Sequence, residues 1–66
     1  MQITTGNDIR AERARRKMSQ GFLSKLTGYR REEIGAIENS RLMPTQEVLD
    51  DIRSAFEQFD NRQVAA

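Results

Sequence analysis

The sequence predicts a small all-α domain of four helices. Three observations lead there. Apolar residues recur at spacings of three and four along most of the chain, and no stretch alternates apolar with polar as a half-buried strand does. Cap and stop residues punctuate that pattern at Ser19, Gly28, Pro44 and Thr45. The 66 residues include no Cys and no His, which excludes disulfides and disfavours zinc. A single domain this short buries only about 60% of its unfolded surface, so tight helix packing or association must stabilise it.

Taken in order, residues 1–6 are short, polar and without helical period, and read as a frayed arm. Asn7 or Asp8 can cap a first helix, because their side chains accept from free N–H groups of a first turn. Ile9, Ala11, Arg13, Ala14 and Met18 suggest that this helix runs to about Arg16, with a basic exposed side that includes Arg15, Arg16 and Lys17. Ser19 caps the second helix, which carries Phe22, Leu23 and Leu26 on one face. Gly28 stops it, since glycine takes the left-handed C′ conformation without steric cost. A third helix follows Tyr29 and Arg30. It opens with Glu32 and Glu33, where the helix dipole favours acids, and ends near Glu38. Residues 39–44 form a loop closed by Pro44. Thr45 caps the fourth helix, in which Val48, Leu49, Ile52, Ala55, Phe56 and Phe59 keep the helical repeat without a miss. The pattern is lost after Asp60, and residues 61–66 read as a frayed tail.

The net charge of +1 conceals a division. Residues 1–31 carry eight Lys/Arg against two Asp/Glu, and residues 32–66 carry three against eight, giving net charges of +6 and −5. A basic surface suits phosphate backbones, whereas opposed halves can also simply attract each other in folding. No apolar run approaches the roughly 18 residues of a membrane span, and no charged-then-apolar leader opens the chain. A soluble, cytoplasmic protein with no membrane partner is expected, and the lack of Cys agrees with a reducing compartment. With no His, no Cys and no nucleophile–base set, neither enzymatic activity nor a cofactor is expected. Asp50 and Asp51 read as an exposed acidic pair, and Met18 as core filler.

Two short helices joined by a glycine turn are the cue for a helix-turn-helix. The segment "MSQGFLSKLTGYRREEIGAIENS" resembles that of the phage-repressor (Cro/cI-like, XRE) family. Met18, Ser19, Gln20, Leu23, Ser24, Gly28, Tyr29, Ile34, Gly35, Ile37 and Glu38 fall in the family's register without a gap. Ile9 and Arg13 extend the match in front, and Pro44, Leu49, Ile52 and Phe56 extend it behind, so it covers about residues 9–56. The resemblance implies a compact lambda-repressor-like DNA-binding domain with the helix-turn-helix at helices two and three. Four residues depart from the pattern: Thr27 replaces a usual Leu, Ser24 an Ala, Arg30 a Ser/Thr cap and Gly21 a helix former. Gly21 costs about 1 kcal/mol relative to Ala. The fourth helix also runs on past Phe56, where the family usually turns into a fifth helix that serves dimerisation.

Glu38 lies on the apolar stripe of helix three with Ile34 and Ile37. A lone buried carboxylate is costly unless paired and hydrogen-bonded. Arg13, four residues after Ile9 on one face of helix one, is the natural partner, and the resemblance implies the same pair. The alternative is that Glu38 reaches solvent at the helix end.

The resemblance further implies that the start of helix three enters the major groove, with Arg31, Glu32 and Ala36 facing bases and Arg30 and Gly35 beside them. Arginine can hold guanine through two hydrogen bonds, and glutamate can accept from cytosine. Gln20 would touch phosphate or base, and Arg41, Arg15 and Lys17 the backbone. Without the family, residues 30–33 are equally a solvated, dipole-compatible helix start. A sequence-specific regulator of transcription that binds double-stranded DNA, as a homodimer whose contact is small and DNA-dependent, is the leading expectation. The dimer would meet through helix four around Phe56 or Phe59, or through residues 39–44. The alternatives are an antitoxin that represses its operon and presents its acidic half to a toxin, and a protein-interaction module that has lost DNA binding, for which Glu32 and Glu33 argue because they repel phosphate.

Overall fold

The computed structural model describes residues 1–65, with side chains through Arg62. Among these residues there are four helices and no strand: α1 (Gly6–Arg15), α2 (Gln20–Thr27), α3 (Arg31–Glu38) and α4 (Gln46–Ala65). α2 packs against α3 and α4, and α1 closes the other side by touching the same two helices. The residue outside this description, Ala66, belongs to the expected tail. Residues 61–65 continue α4 as helix instead of leaving it.

The first six residues differ from the expected frayed arm. Ile3 is buried in the core. The cap of α1 is Thr5, two residues earlier than Asn7. The Asp8 N–H donates to Thr5 Oγ1 (3.2 Å), and the Thr5 N–H donates to Asp8 Oδ2 (3.1 Å). The aspartate is therefore the reciprocal acid of a capping box and not the cap itself. Bonds from the Thr4 N–H and hydroxyl, with the one from the Thr5 N–H, hold the Asp8 carboxyl below the usual carboxylate range. Gly6 is required where it stands. A Cβ there would lie 1.8 Å from the Ile37 carbonyl oxygen, so only glycine lets the start of α1 meet the end of α3.

The inner face of α1 also differs from expectation. Ala11 and Ala14 are exposed, and the buried stripe runs instead through Ile9, Arg13 and Arg16. Arg16 is a correction to the exposed basic side, since its side chain is only 6% exposed. It donates to Asp60 Oδ1 and Oδ2 (2.8 and 2.6 Å) and to Glu12 Oε1 (2.7 Å), and it stands over the Phe56 ring, 4.6 Å from the centroid. It clamps α1 to the far half of α4. A guanidinium suits this place because its flat face lies on an aromatic ring while its edge keeps its donors satisfied. The same pair holds the Asp60 carboxyl below its ordinary value, chiefly through the hydrogen bonds from Arg16.

α2 follows the sequence closely. Ser19 Oγ accepts from the Phe22 N–H (3.0 Å), and Gly28 ends the helix at φ 83°, in the left-handed region. Two of the three family departures in α2 serve the turn. The Ser24 hydroxyl donates to the Tyr29 carbonyl. The Thr27 hydroxyl donates to the Leu23 carbonyl (2.9 Å) and accepts from the Tyr29 N–H (3.2 Å), so a hydroxyl takes up turn groups where leucine would add only bulk. Tyr29 then ties this turn to α4, donating its phenol to Asp51, and that bond pushes the phenol up to about 12. Thr45 caps α4 by accepting from the Val48 N–H (3.2 Å). Leu23, Ile34, Ile52 and Phe56, each 1% exposed or less, form the centre of the core on which the helix-turn-helix rests.

Candidate nucleic-acid interface

α3 begins on schedule although Arg30 offers no side-chain oxygen. Glu33 supplies the reciprocal half of a cap, its Oε1 accepting from the Arg30 N–H (3.1 Å). Ile34, Ile37 and Glu38 point inward and are buried. At 100° per residue the opposite face is centred on Glu32 and Ala36, flanked by Gly35 on one side and Glu33 on the other, with Arg31 turned toward α2. Arg30, Arg31, Glu32 and Glu33 are all exposed. The second turn of α3 contributes only the small Gly35 and Ala36 to this face, and Gln20 of α2 lies across Gly35.

Glu38, the acid on the stripe, is fully buried and paired. Arg13 Nε donates to Oε2 (2.9 Å) and Arg13 Nη2 to Oε1 (3.0 Å), a two-pronged contact. The pair joins α1 to α3, and Arg13 Nη1 also reaches the Met18 carbonyl (2.8 Å), fixing the link into α2. Hydrogen bonding to Glu38 holds the Arg13 guanidinium above its ordinary pKa. Two further groups meet the same carboxylate. Arg10 approaches Oε1 at 3.8 Å and donates to the Glu38 carbonyl and to Asn39 Oδ1 (3.3 and 2.6 Å). Gln20 Nε2 donates to Oε1 (3.0 Å).

The cations divide into two sets. Arg10, Arg13, Arg15, Arg16 and Arg53 form ion pairs within the domain. Among the described residues, Lys17, Lys25, Arg30, Arg31, Arg41 and Arg62 stand in no ion pair, and all six are exposed. Of this set, the structure places Arg31 at the edge where α3 meets α2. The Arg31 side chain leans toward the start of α2, its Cδ 3.9 Å from where a Cβ of Gly21 would be, and Gln20 lies across Gly35. Lys17 immediately precedes that edge, at φ 55°. Arg41 sits apart, in the loop after α3, where its N–H donates to the Ala36 carbonyl (2.8 Å). Arg15 is less available than the sequence suggests: it is 68% exposed but pairs with Glu12 at 2.6 Å. Sequence reasoning missed Arg16, because its partner Asp60 lies 44 positions away and leaves no local signal.

The candidate dimer surfaces separate as well. Phe56 is fully buried beneath Arg16 and is withdrawn as a dimer residue, because Arg16 and the core cover every face of it. Phe59 is half-buried against Phe22, edge-to-face at 5.9 Å between centroids. Leu42 and Met43 are 45% and 89% exposed and stand beside an apolar groove of about 200 Å³ lined by Tyr29, Ile34, Ile37 and Val48. Asp50 is held by Gln46 and Arg53 of its own helix, and Asp51 by Tyr29 from the turn before α3.

Two short helices around a glycine turn, on a core that holds the second of them outward, define a helix-turn-helix nucleic-acid-binding domain of the regulator class. The helix-turn-helix family matches the chain over residues 9–57, and the chain belongs to it, as a Cro/cI-like (XRE) domain. No curated protein and no solved structure matches the chain. No helix among the described residues is long and apolar enough to cross a membrane.

Proposed function

We propose that the protein is a sequence-specific regulator of transcription that reads the major groove with α3. The observation that carries this is the outward side of α3, with exposed Arg31 and Glu32 in its first turn and small Gly35 and Ala36 in its second; Arg30 before it, Arg41 after it and Lys17 before α2 are exposed cations in no ion pair among the described residues. In this reading Arg31, Glu32 and Ala36 meet base edges, while Arg30, Lys17, Arg41 and the exposed Arg15 hold phosphates. Each neutralised phosphate releases counterions, so the logarithm of affinity falls against the logarithm of salt with a slope of about −0.9 per phosphate. Three or four such phosphates therefore predict a slope of about −3 per protomer. Titration of a duplex at several salt concentrations tests this. A flat response removes DNA from the account and leaves a protein-interaction module.

The operator is an inverted repeat bound by a homodimer. α3, with eight residues, is about 12 Å long. Helix-turn-helix dimers place their half-sites about 34–36 Å apart. A dyad placed beside the loops that follow α3 would bring residues 39–44 of the two copies together. The exposed Leu42 and Met43 in those loops, each beside an apolar groove, are self-complementary in the way a two-fold contact requires.

An antitoxin function shares this DNA contact and adds a toxin. The exposed acids Glu47 and Glu57 on α4 support it. Co-purification of a basic partner with the chain expressed from its own operon separates the two.

A further inference from the structure

We infer that the apolar groove between α3, the loop after it and the start of α4 is a docking site for a cationic segment of a partner protein, which seats one large apolar side chain between flanking arginines or lysines. The inference goes beyond the DNA reading and holds whether or not α3 enters a major groove. It also gives the basic partner of the antitoxin reading a place to bind.

The groove has the form of an anchor site with a charged rim. Its volume of about 200 Å³ suits one large side chain. Ile34 and Ile37 line it from the core, while Leu42 and Met43, 45% and 89% exposed, line it at the surface. A seated apolar group would therefore remove exposed apolar area from water. The rim is acidic. Glu33 lines the groove itself, and Asp51 accepts from the phenol of Tyr29, another lining residue. Glu47 lies between the lining residues Thr45 and Val48, one helical turn before Asp51. The Tyr29 phenol is pushed up first by its bond to Asp51, and the charges of Asp51, Glu47 and Glu33 add to it, which places the three acids about one ring. Among the described residues, none of the three stands in an ion pair, and no Lys or Arg lines the groove.

That charge selects the occupant. A phosphate backbone is repelled by three acids, so the groove is no part of a DNA surface. A second copy of the chain matches it poorly. The two-fold contact proposed above uses Leu42 and Met43 and assigns the one cation of that loop, Arg41, to phosphate, so it leaves the three acids unmatched. A segment that brings its own cations beside an apolar anchor answers both halves of the site, the anchor supplying affinity and the rim charges supplying selectivity.

The test titrates the isotope-labelled full chain with a short synthetic peptide in which one leucine stands between runs of arginine. Two control peptides replace the leucine by alanine or the arginines by glutamates. The leucine peptide is expected to shift the amide resonances of Tyr29, Ile34, Ile37 and Val48 and to bind more weakly as salt rises. The alanine peptide should bind about 10-fold more weakly, as the loss of a buried leucine implies, and the glutamate peptide should not bind. The chain carrying Glu47→Lys and Asp51→Asn should lose about 10-fold for the leucine peptide, as two exposed ion pairs imply. Its thermal unfolding should stay near wild type, because Asp51→Asn retains an oxygen that accepts from the Tyr29 phenol. Met43→Ser, at an exposed position, should weaken the same peptide several-fold without touching the rim charges. No binding, equal binding of the alanine or glutamate peptide, or shifts confined to other surfaces would overturn the inference. So would a dimer in sedimentation whose groove the leucine peptide cannot enter, which would assign the groove to a second copy.

Discussion

Replacing Glu38 by alanine leaves the Arg13 guanidinium, 18% exposed, without its two acceptors, and removes the acceptor of Gln20 Nε2. Breaking one side of a buried pair costs about 3–5 kcal/mol, because the surviving charge is stranded. A domain of this length has roughly 3–10 kcal/mol of stability in total. Glu38→Ala should therefore leave the chain largely unfolded or nearly so. Arg13→Ala should cost a similar amount, with about 1 kcal/mol of it from the orphaned Met18 carbonyl. The double variant strands neither charge. It should be more stable than the sum of the single changes implies by about 2–3 kcal/mol, although the Met18 carbonyl stays unpaired in it. Urea denaturation followed by circular dichroism, with glycerol or low temperature to keep the single variants measurable, gives all four corners of the cycle. Strict additivity would refute the reasoning, since two groups that share hydrogen bonds cannot be independent.

Gly6→Ala should destabilise by at least about 2 kcal/mol, since its methyl would meet the Ile37 carbonyl oxygen and backbone must move; a melting temperature within a degree of wild type would contradict that close approach. The Tyr29–Asp51 bond gives a pH signature. With the phenol raised from 10.0 to about 12 in the folded state, its stabilisation is complete below pH 10 and is lost as pH rises toward 12. The stability difference between wild type and Tyr29→Phe should therefore be constant at neutral pH and shrink across that window, as read from urea midpoints. Met43→Asp should lower affinity for a two-half-site operator by on the order of 10-fold or more while leaving a single half-site unaffected, as titration of the two duplexes would show.

Much of this architecture is legible because its causes are local. Ser19, Gly28 and Thr45 act within four residues of themselves, so a cap or a stop can be read from the chain. The Arg13–Glu38 pair is legible for a different reason: an acid on an apolar stripe demands a partner, and few cations share the facing stripe. Arg16 gives no such sign. In the sequence it is one cation in a row of three, and only the return of α4 past α1 brings Asp60 and Phe56 to it. The same holds for Ile3 and Gly6, whose roles depend on where the end of α3 falls. At the interface, the outward residues of α3 follow from helix periodicity. The inward turn of Gln20 does not, because it depends on a carboxylate 18 positions away.

Selection of binding sites from random duplex DNA, run in parallel on wild type, Arg31→Ala, Glu32→Ala and Lys17→Ala, tests the central claim most directly. Wild type should enrich an inverted repeat with half-sites about one helical turn apart. Arg31→Ala and Glu32→Ala should each relax one or two base positions, at about 1–3 kcal/mol per position, while Lys17→Ala keeps the motif and weakens all sites together. Enrichment of no motif by wild type, or of the same motif by all four proteins, would contradict the assignment of α3 as the reading element.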